Sequence, residues 1–393
     1  MTASPRREDL RRLRADAAAA AASGDDAQIR RIVQFADSLA ARGEVDAVIE
    51  PLRQRLRLLR PPRPLSLTRL MFMPLDPLVV HPRRWLAERT GIPRPALTQL
   101  AEAARLALGE TGEAVSGMIA GHVLTDTALV MAAGDALWPA ASTVLAGAAA
   151  PRKWAKATGL ALADFVAIAR PVSAALAHGP ALMRLAWHDA ALATQETAAA
   201  CLASAAAAGE DALATMLAAL IAVWPDPGAL VPIAEALAGQ NGPATLLALD
   251  RAIDFTLGMV TAEGEQAEMR LPDTAAVRRA ALLLAALLTP QQRRAAALHA
   301  SAQRLDQVCR AKFEATLGTI LAGGGTEITM TNAARDLRQI AVAGSRLGVA
   351  GFYEGALAGA AARVAAMPEV APDVRRTVAE ILLGPAQAVD AGC

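Results

Sequence analysis

Aromatic residues make up only 3% of this 393-residue chain, with a single tyrosine, six phenylalanines and five tryptophans. Few large rings means few bulky core anchors, so elements must approach closely through small side chains. Cysteine is nearly as scarce. Cys201, Cys309 and Cys393 are widely scattered and odd in number, and no CxxC spacing occurs. That excludes a disulfide framework or a zinc-ribbon site and fits a reducing, cytoplasmic setting. Long apolar runs are missing too, although the mean hydropathy is +0.31. The best stretches, Ala136–Ala150, Ala212–Trp224 and Ala280–Leu288, fall short of the ~18 apolar residues a spanning helix needs, and Pro139 interrupts the first. The reading is a soluble chain with no membrane span. Lysine is limited to residues 153, 156 and 312 among 39 basic residues. With the alanine excess, this arginine bias is the compositional mark of a GC-rich bacterial genome.

What is present in abundance is alanine and leucine at helical spacing. The N-terminus, MTASPRREDLRRLRADAAAAAASG, carries acids at Glu8, Asp9 and Asp16 and only a weakly apolar alanine run. It therefore reads as a frayed, exposed helix rather than a targeting segment. Ile29, Ile32, Val33, Ala36 and Leu39, then Val48, Ile49, Leu52, Leu56 and Leu59, repeat every three or four positions around a break at Gly43. Residues 1–60 are thus expected to hold a helical hairpin.

Residues 61–96 differ. Between Pro51 and Pro95 stand ten arginines against Asp76 and Glu88, a local net charge of +8 in a chain of net +1. Pro61-Pro62-Arg63-Pro64 favours extended backbone, because each ring fixes its own φ and restricts its predecessor. Leu70–Met73 and Leu78–His81 are short apolar runs that read as edge strands bounded by Pro74, Pro77 and Pro82. Met71, Phe72, Leu75, Leu78, Val79 and Trp85 make the segment too apolar for a free linker. It is expected to be extended and packed across the helices.

From residue 97 to 393 only helices are predicted, so the fold class is all-α. Prolines suited to first helical turns stand at 95, 139, 180, 225 and 272, with gaps of 44, 41, 45 and 47. This matches the ~40–47-residue period of HEAT or armadillo helix pairs. An array of antiparallel helix pairs is the expected architecture, with an irregular bundle as the alternative. Thr289-Pro290-Gln291-Gln292 reads as a capping box opening a helix whose apolar seam is Leu298, Ala302, Leu305, Cys309, Phe313, Leu317 and Ile320, ended by Gly323–Gly325. Thr326–Thr331 reads as extended or a turn, followed by helices from about Asn332 and Val349 and a last one at Val374–Leu383.

Motifs for chemistry are weak. His122 and Asp126 lie four apart, but no third metal ligand is apparent. His178, His188 and Asp189 fit no metal spacing. Cys201, set in AAACLASAAAA, has nothing nearby to activate it. The glycine triplet 323–325 lacks the lysine of a phosphate loop. Glu263, Glu265, Glu268 and Asp273 lack a calcium-loop pattern. No catalytic group, cofactor or metal is implied. The first functional expectation is a non-enzymatic scaffold or adaptor that binds another protein. The second is an enzyme or small-molecule binder with a site between helices near His122 or His188. The third is binding of nucleic acid or an anionic surface through the arginine-rich segment 53–94, with Phe72 and Trp85 as stacking platforms. Partner-binding candidates are Arg53, Arg57, Arg60, Arg69, Arg83, Arg84 and Trp85. Against the last two expectations, the same arginines can dock onto the acidic remainder of the chain, net −7.

Overall fold

The computed structural model describes residues 64–124, 126–187, 190–261, 273–288, 295–321, 327–368 and 370–384, together with 15–17, 19, 29, 32, 33 and 52. Its contacts divide the chain into two units. The smaller comprises Met1–Pro64 and Gly121–Thr125. Within it Ala17, Ile29, Val33 and Leu52 form one buried cluster with Ile32 against it, and Pro64 pairs with Val123 in an isolated antiparallel bridge. Most of the expected hairpin, including Arg53, Arg57 and Arg60, lies outside the described residues.

The larger unit, Leu65–Ala120 and Asp126–Cys393, is predominantly helical. Its elements are α1 (Leu67–Phe72), a 3-10 turn (Met73–Leu78), β1 (Val79–Val80), α2 (Pro82–Glu88), β2 (Ile92–Pro93), α3 (Arg94–Ile119), α4 (Thr127–Ala146), α5 (Trp154–Thr158), α6 (Asp164–Leu176), α7 (Gly179–Ala186), α8 (Gln195–Ala208) and α9 (Glu210–Val223). There follow a 3-10 turn at Pro227–Ala229, then α10 (Leu230–Asn241), α11 (Pro243–Thr261), α12 (Thr274–Leu287), α13 (Ala295–Leu321), α14 (Glu327–Gly344), a π turn (Ser345–Val349), α15 (Ala350–Ala365) and α16 (Pro372–Leu383). Among the described residues the only sheet is the parallel pairing of β1 with β2, Val79 to Ile92 and Val80 to Pro93.

Helix α9 is the core. After Glu210 and Asp211, whose charges suit the positive end of the helix dipole, every residue from Ala212 to Ile221 is buried. A helix apolar on all sides needs neighbours on all sides, and α6, α8, α11 and the 73–78 turn supply them. Helix α13 buries the whole expected seam, Leu298, Ala302, Leu305, Cys309, Phe313, Leu317 and Ile320. The expected cap at Thr289 and the stop at Gly323–Gly325 lie outside the described residues.

Four expectations need correcting. The stretch from Leu67 to Leu78 is helical rather than extended. Ser66 caps α1 by accepting from the backbone N–H of Arg69, and Pro74 and Pro82 stand in first turns, where no amide hydrogen is needed. Of the two strand candidates only Val79–Val80 forms one. Second, Pro139 neither starts nor interrupts a helix, because α4 runs through it. Pro225 follows the end of α9 instead of opening a helix. The evenly spaced prolines therefore do not mark equivalent positions, although Pro95 and Pro180 do stand in first turns. Third, α4 as a continuous element is long and apolar enough to cross a membrane. Here Val130, Ala133, Leu137, Trp138 and Ala141 are buried, against α3, α6 and α7. Fourth, Glu327–Thr331 is the first turn of α14, where the Thr331 hydroxyl donates back to the Glu327 carbonyl.

Candidate functional site

From Pro64 onward, the described part of the arginine-rich segment packs into its own protein. Trp85 is 1% exposed and Phe72 2%, so neither ring can stack on an incoming base. Both belong to a wedge formed with Leu70, Met71, Leu75 and Leu78, all buried. The wedge is tied to α4 by Trp138, whose indole N–H donates to the Leu70 carbonyl at 2.8 Å. Arg84 points inward. Its side chain is 11% exposed, pairs with Glu88 at 3.0 Å, donates to the Phe255 carbonyl at 3.0 Å and lies 5.2 Å from the centre of the Phe255 ring. Arg89 adopts a left-handed backbone (φ 53°) that costs a non-glycine residue ~1–2 kcal/mol. Its guanidinium covers the Trp85 ring at 4.5 Å and pairs with Asp164 at 2.7 Å, and its carbonyl accepts from Arg251 at 2.7 Å. Arg251 also binds Glu210 and Asp211 at the start of α9. Of the partner-binding candidates in the described residues, Arg69 is half-buried and Arg83 exposed, while Arg84 and Trp85 are not surface groups.

His122 falls in the smaller unit and Asp126 in the larger, where its carboxylate accepts from the Leu129 amide at the start of α4. His188 and Asp189, Gly323–Gly325 and the acidic residues 263, 265 and 268 lie outside the described residues. Burial holds His178 below its ordinary pKa, and its Nε2 is buried without a hydrogen-bond partner. Burial likewise pushes the Cys201 thiol up to about 11 and Cys309 to about 12, which keeps both protonated and unreactive. Among the described residues no group of three His, Cys, Asp or Glu side chains is placed to hold a metal.

A different set of arginines does converge. A groove of about 450 Å³ is lined by Arg278 and Leu282 of α12, Arg335, Arg338, Gln339, Val342 and Ala343 of α14, Arg346 of the π turn, Ile381 of α16, and Pro225 with Asp226. Each helix contributes for a local reason. On α14, Arg335, Arg338, Gln339 and Val342 recur at helical spacing opposite the buried stripe Ala334, Leu337, Ile340 and Ala341. The π turn then carries the chain past a tight contact. A Cβ on Gly344 would collide with the Tyr353 ring, and Arg346 follows two residues later at the end of the groove. On α16, the Ile381 carbonyl lies in the last turn, lacks an intrahelical donor and accepts from Arg338 at 2.7 Å.

The groove's arginines differ from the ion-paired arginines of the described residues. Arg84, Arg89, Arg184, Arg251 and Arg310 each have a carboxylate within 3.1 Å. Among the described residues, Arg278, Arg335, Arg338 and Arg346 have none. Arg335 bonds the neutral Asn332 and Arg338 a carbonyl. The Nε of Arg278 is buried with no hydrogen-bond partner, and its charge adds to burial in lowering the pKa of Arg279. Asp226, the one acid on the lining, uses its carboxylate to accept from the Gly228 amide. Four guanidinium groups that share a groove with a single carboxylate, Asp226, and form no ion pair with it repel one another, and an anion placed between them relieves that repulsion. A second, smaller groove of about 280 Å³, lined by Ala193, Gln195, Trp224, Ala229, Pro232 and Ile233, is mostly apolar.

No family model, curated protein or solved structure matches this chain, so the site is argued from its chemistry alone.

The arginine groove was missed in the sequence, but half of it left a signal. Positions 335, 338, 339, 342 and 346 fall on one face of an ideal helix, and Asp336 is the only acid among residues 328–353. Arg278 could not be added, because nothing in the sequence pairs α12 with α14.

Proposed function

We propose that this chain is a non-enzymatic helical scaffold that holds a partner protein in the groove between α12, α14 and α16. The observation that carries the reading is the groove itself: three helices converge polar and apolar groups on one concave surface, whose one acid, Asp226, is engaged with the Gly228 amide. Such a surface is suited to binding and orienting a partner. Stacked helix pairs suit this role, since neighbouring repeats build extended concave faces. An array is supported by the order of packing, in which α3, α4, α6, α9 and α11 each meet the next, as do α12, α14 and α16. The wedge at residues 65–93 then serves as a clamp across α4, α9 and α11, with Arg84 and Arg89 paired internally.

The test is site-specific photo-crosslinking. A benzophenone side chain introduced at Gln339 and, separately, at Arg83 should give a discrete protein adduct only from position 339 in the producing host. The adduct's protein, once identified and purified, should bind the full chain in calorimetry. Adducts from Arg83 alone, or none at either position, would overturn the reading.

A further inference from the structure

We infer that the groove between α12, α14 and α16 selects an acidic, amphipathic peptide segment, with carboxylates on the arginines and an apolar side chain seated between them; this rests on the protein-binding reading above. Three observations fix the class of ligand. The first is charge: Arg278, Arg335, Arg338 and Arg346 lack carboxylate partners among the described residues, and the buried Nε of Arg278 lacks any. The second is length. On α14 and the turn beyond it the basic groups extend from residue 335 to 346, which at ~1.5 Å per residue is roughly 16 Å. A single phosphate or sulfate cannot touch both ends, whereas a peptide with several spaced carboxylates can. The third is the apolar patch between the charges. Val342 is 48% exposed midway along the row, with the half-buried Ile381 also on the lining and Ala343 and Leu282 buried. A purely ionic ligand would leave it wet, while a leucine-sized side chain would cover it.

A nucleic acid fits less well. The lining has no aromatic ring to stack a base. The chain as a whole is nearly neutral at +1, whereas nucleic-acid-binding domains are commonly strongly basic. Guanidinium groups also suit carboxylates in particular, since their planar forks match the two oxygens of each.

The probe is a fluorescein-labelled synthetic peptide of fifteen residues with glutamates three and four apart around a central leucine, read by anisotropy against the full-length chain. A glutamine-for-glutamate version, inorganic sulfate and an oligothymidylate of similar length serve as controls. The glutamate peptide should bind, weakening as salt is raised, and the glutamine version should bind at least about tenfold more weakly. Arg335→Gln with Arg346→Gln, both at exposed positions, should cost about tenfold in affinity with an unchanged melting temperature. As a check independent of loss, the charge-reversed pair Arg335→Glu with Arg346→Glu should gain affinity for a lysine version of the peptide. Val342→Asp should weaken the glutamate peptide in the wild-type background. Equal binding of glutamate and glutamine peptides would overturn the inference. So would complete displacement by sulfate at concentrations that bring no general salt effect, or preferential binding of the oligothymidylate. Crosslinking at Gln339 distinguishes the two levels. A protein adduct there with no response to the acidic peptide refutes only the ligand class, and no adduct there refutes the scaffold reading itself.

Discussion

Arg83 and Arg84 are neighbours on α2 with opposite fates, and substituting each alone should separate them sharply. Arg83 is exposed, and only its backbone amide is engaged, with the His81 ring. Arg83→Gln should therefore leave stability within ~0.5 kcal/mol of the parent. Arg84 donates a charged hydrogen bond to the Phe255 carbonyl, worth ~1.5–3 kcal/mol. It also lies over the Phe255 ring, adding ~0.5–1 kcal/mol, and pairs with Glu88 four residues on, adding ~0.3–0.5 kcal/mol. These share one side chain and do not sum, so Arg84→Gln should cost about 2–3 kcal/mol. A second position sharpens the test. A Cβ on Gly258 would stand 2.6 Å from the Arg84 guanidinium, so Gly258→Ala in the parent displaces that group from the Phe255 carbonyl. In the Arg84→Gln background the shorter side chain leaves room. There the same change should stabilise by up to ~1 kcal/mol, because alanine favours the helix over glycine by that amount. Urea unfolding of the four proteins gives the coupling directly, and about 1–2 kcal/mol is expected. Equal midpoints for the two arginine variants, or an additive cycle, would refute the internal docking of Arg84.

Three further outcomes follow from burial. Phe313→Ala removes a ring that is fully enclosed on α13 and packed edge-on against Tyr353, and should lower stability by ~3–5 kcal/mol in the same assay. Trp138→Phe keeps most of the ring but deprives the buried Leu70 carbonyl of its indole donor, which should cost ~1–3 kcal/mol. Cys201 and Cys309, with thiols pushed up to about 11 and about 12, should resist iodoacetamide in the native protein even near the ordinary thiol pKa of ~8.5 and react once denaturant is added. Peptide mass spectrometry separates them from Cys393.

The helical class and the α13 seam were legible because they are carried by periodicity within one element. Leu298, Leu305, Cys309 and Phe313 are spaced at three and four regardless of what covers them. The wedge at residues 65–93 was half legible. Its apolar content implied packing, and Phe72, Leu75, Leu78 and Trp85 are indeed buried. Its conformation was misjudged because proline disfavours a helix interior but suits a first turn, and density of proline alone does not say which applies. Pro139 failed for a related reason. Helix α4 tolerates it in mid-course, so its spacing from Pro95 and Pro180 carried no structural phase.

The site was least legible, and the reason is electrostatic. Counting arginines along the sequence locates charge but not its compensation. The densest cluster has Arg84 and Arg89 matched to Glu88 and Asp164, the second far off in sequence, so part of its charge is compensated within the fold. The sparser set at 278, 335, 338 and 346 faces a shared groove whose one acid, Asp226, is not paired with any of them. Net charge per segment would rank the first cluster as the functional one. The convergence of the second becomes readable only from the placement of α12, α14 and α16. A basic residue on a helix face is thus informative about partners to the extent that its own fold leaves it unpaired, which is why the groove is a surface on which a partner should be sought.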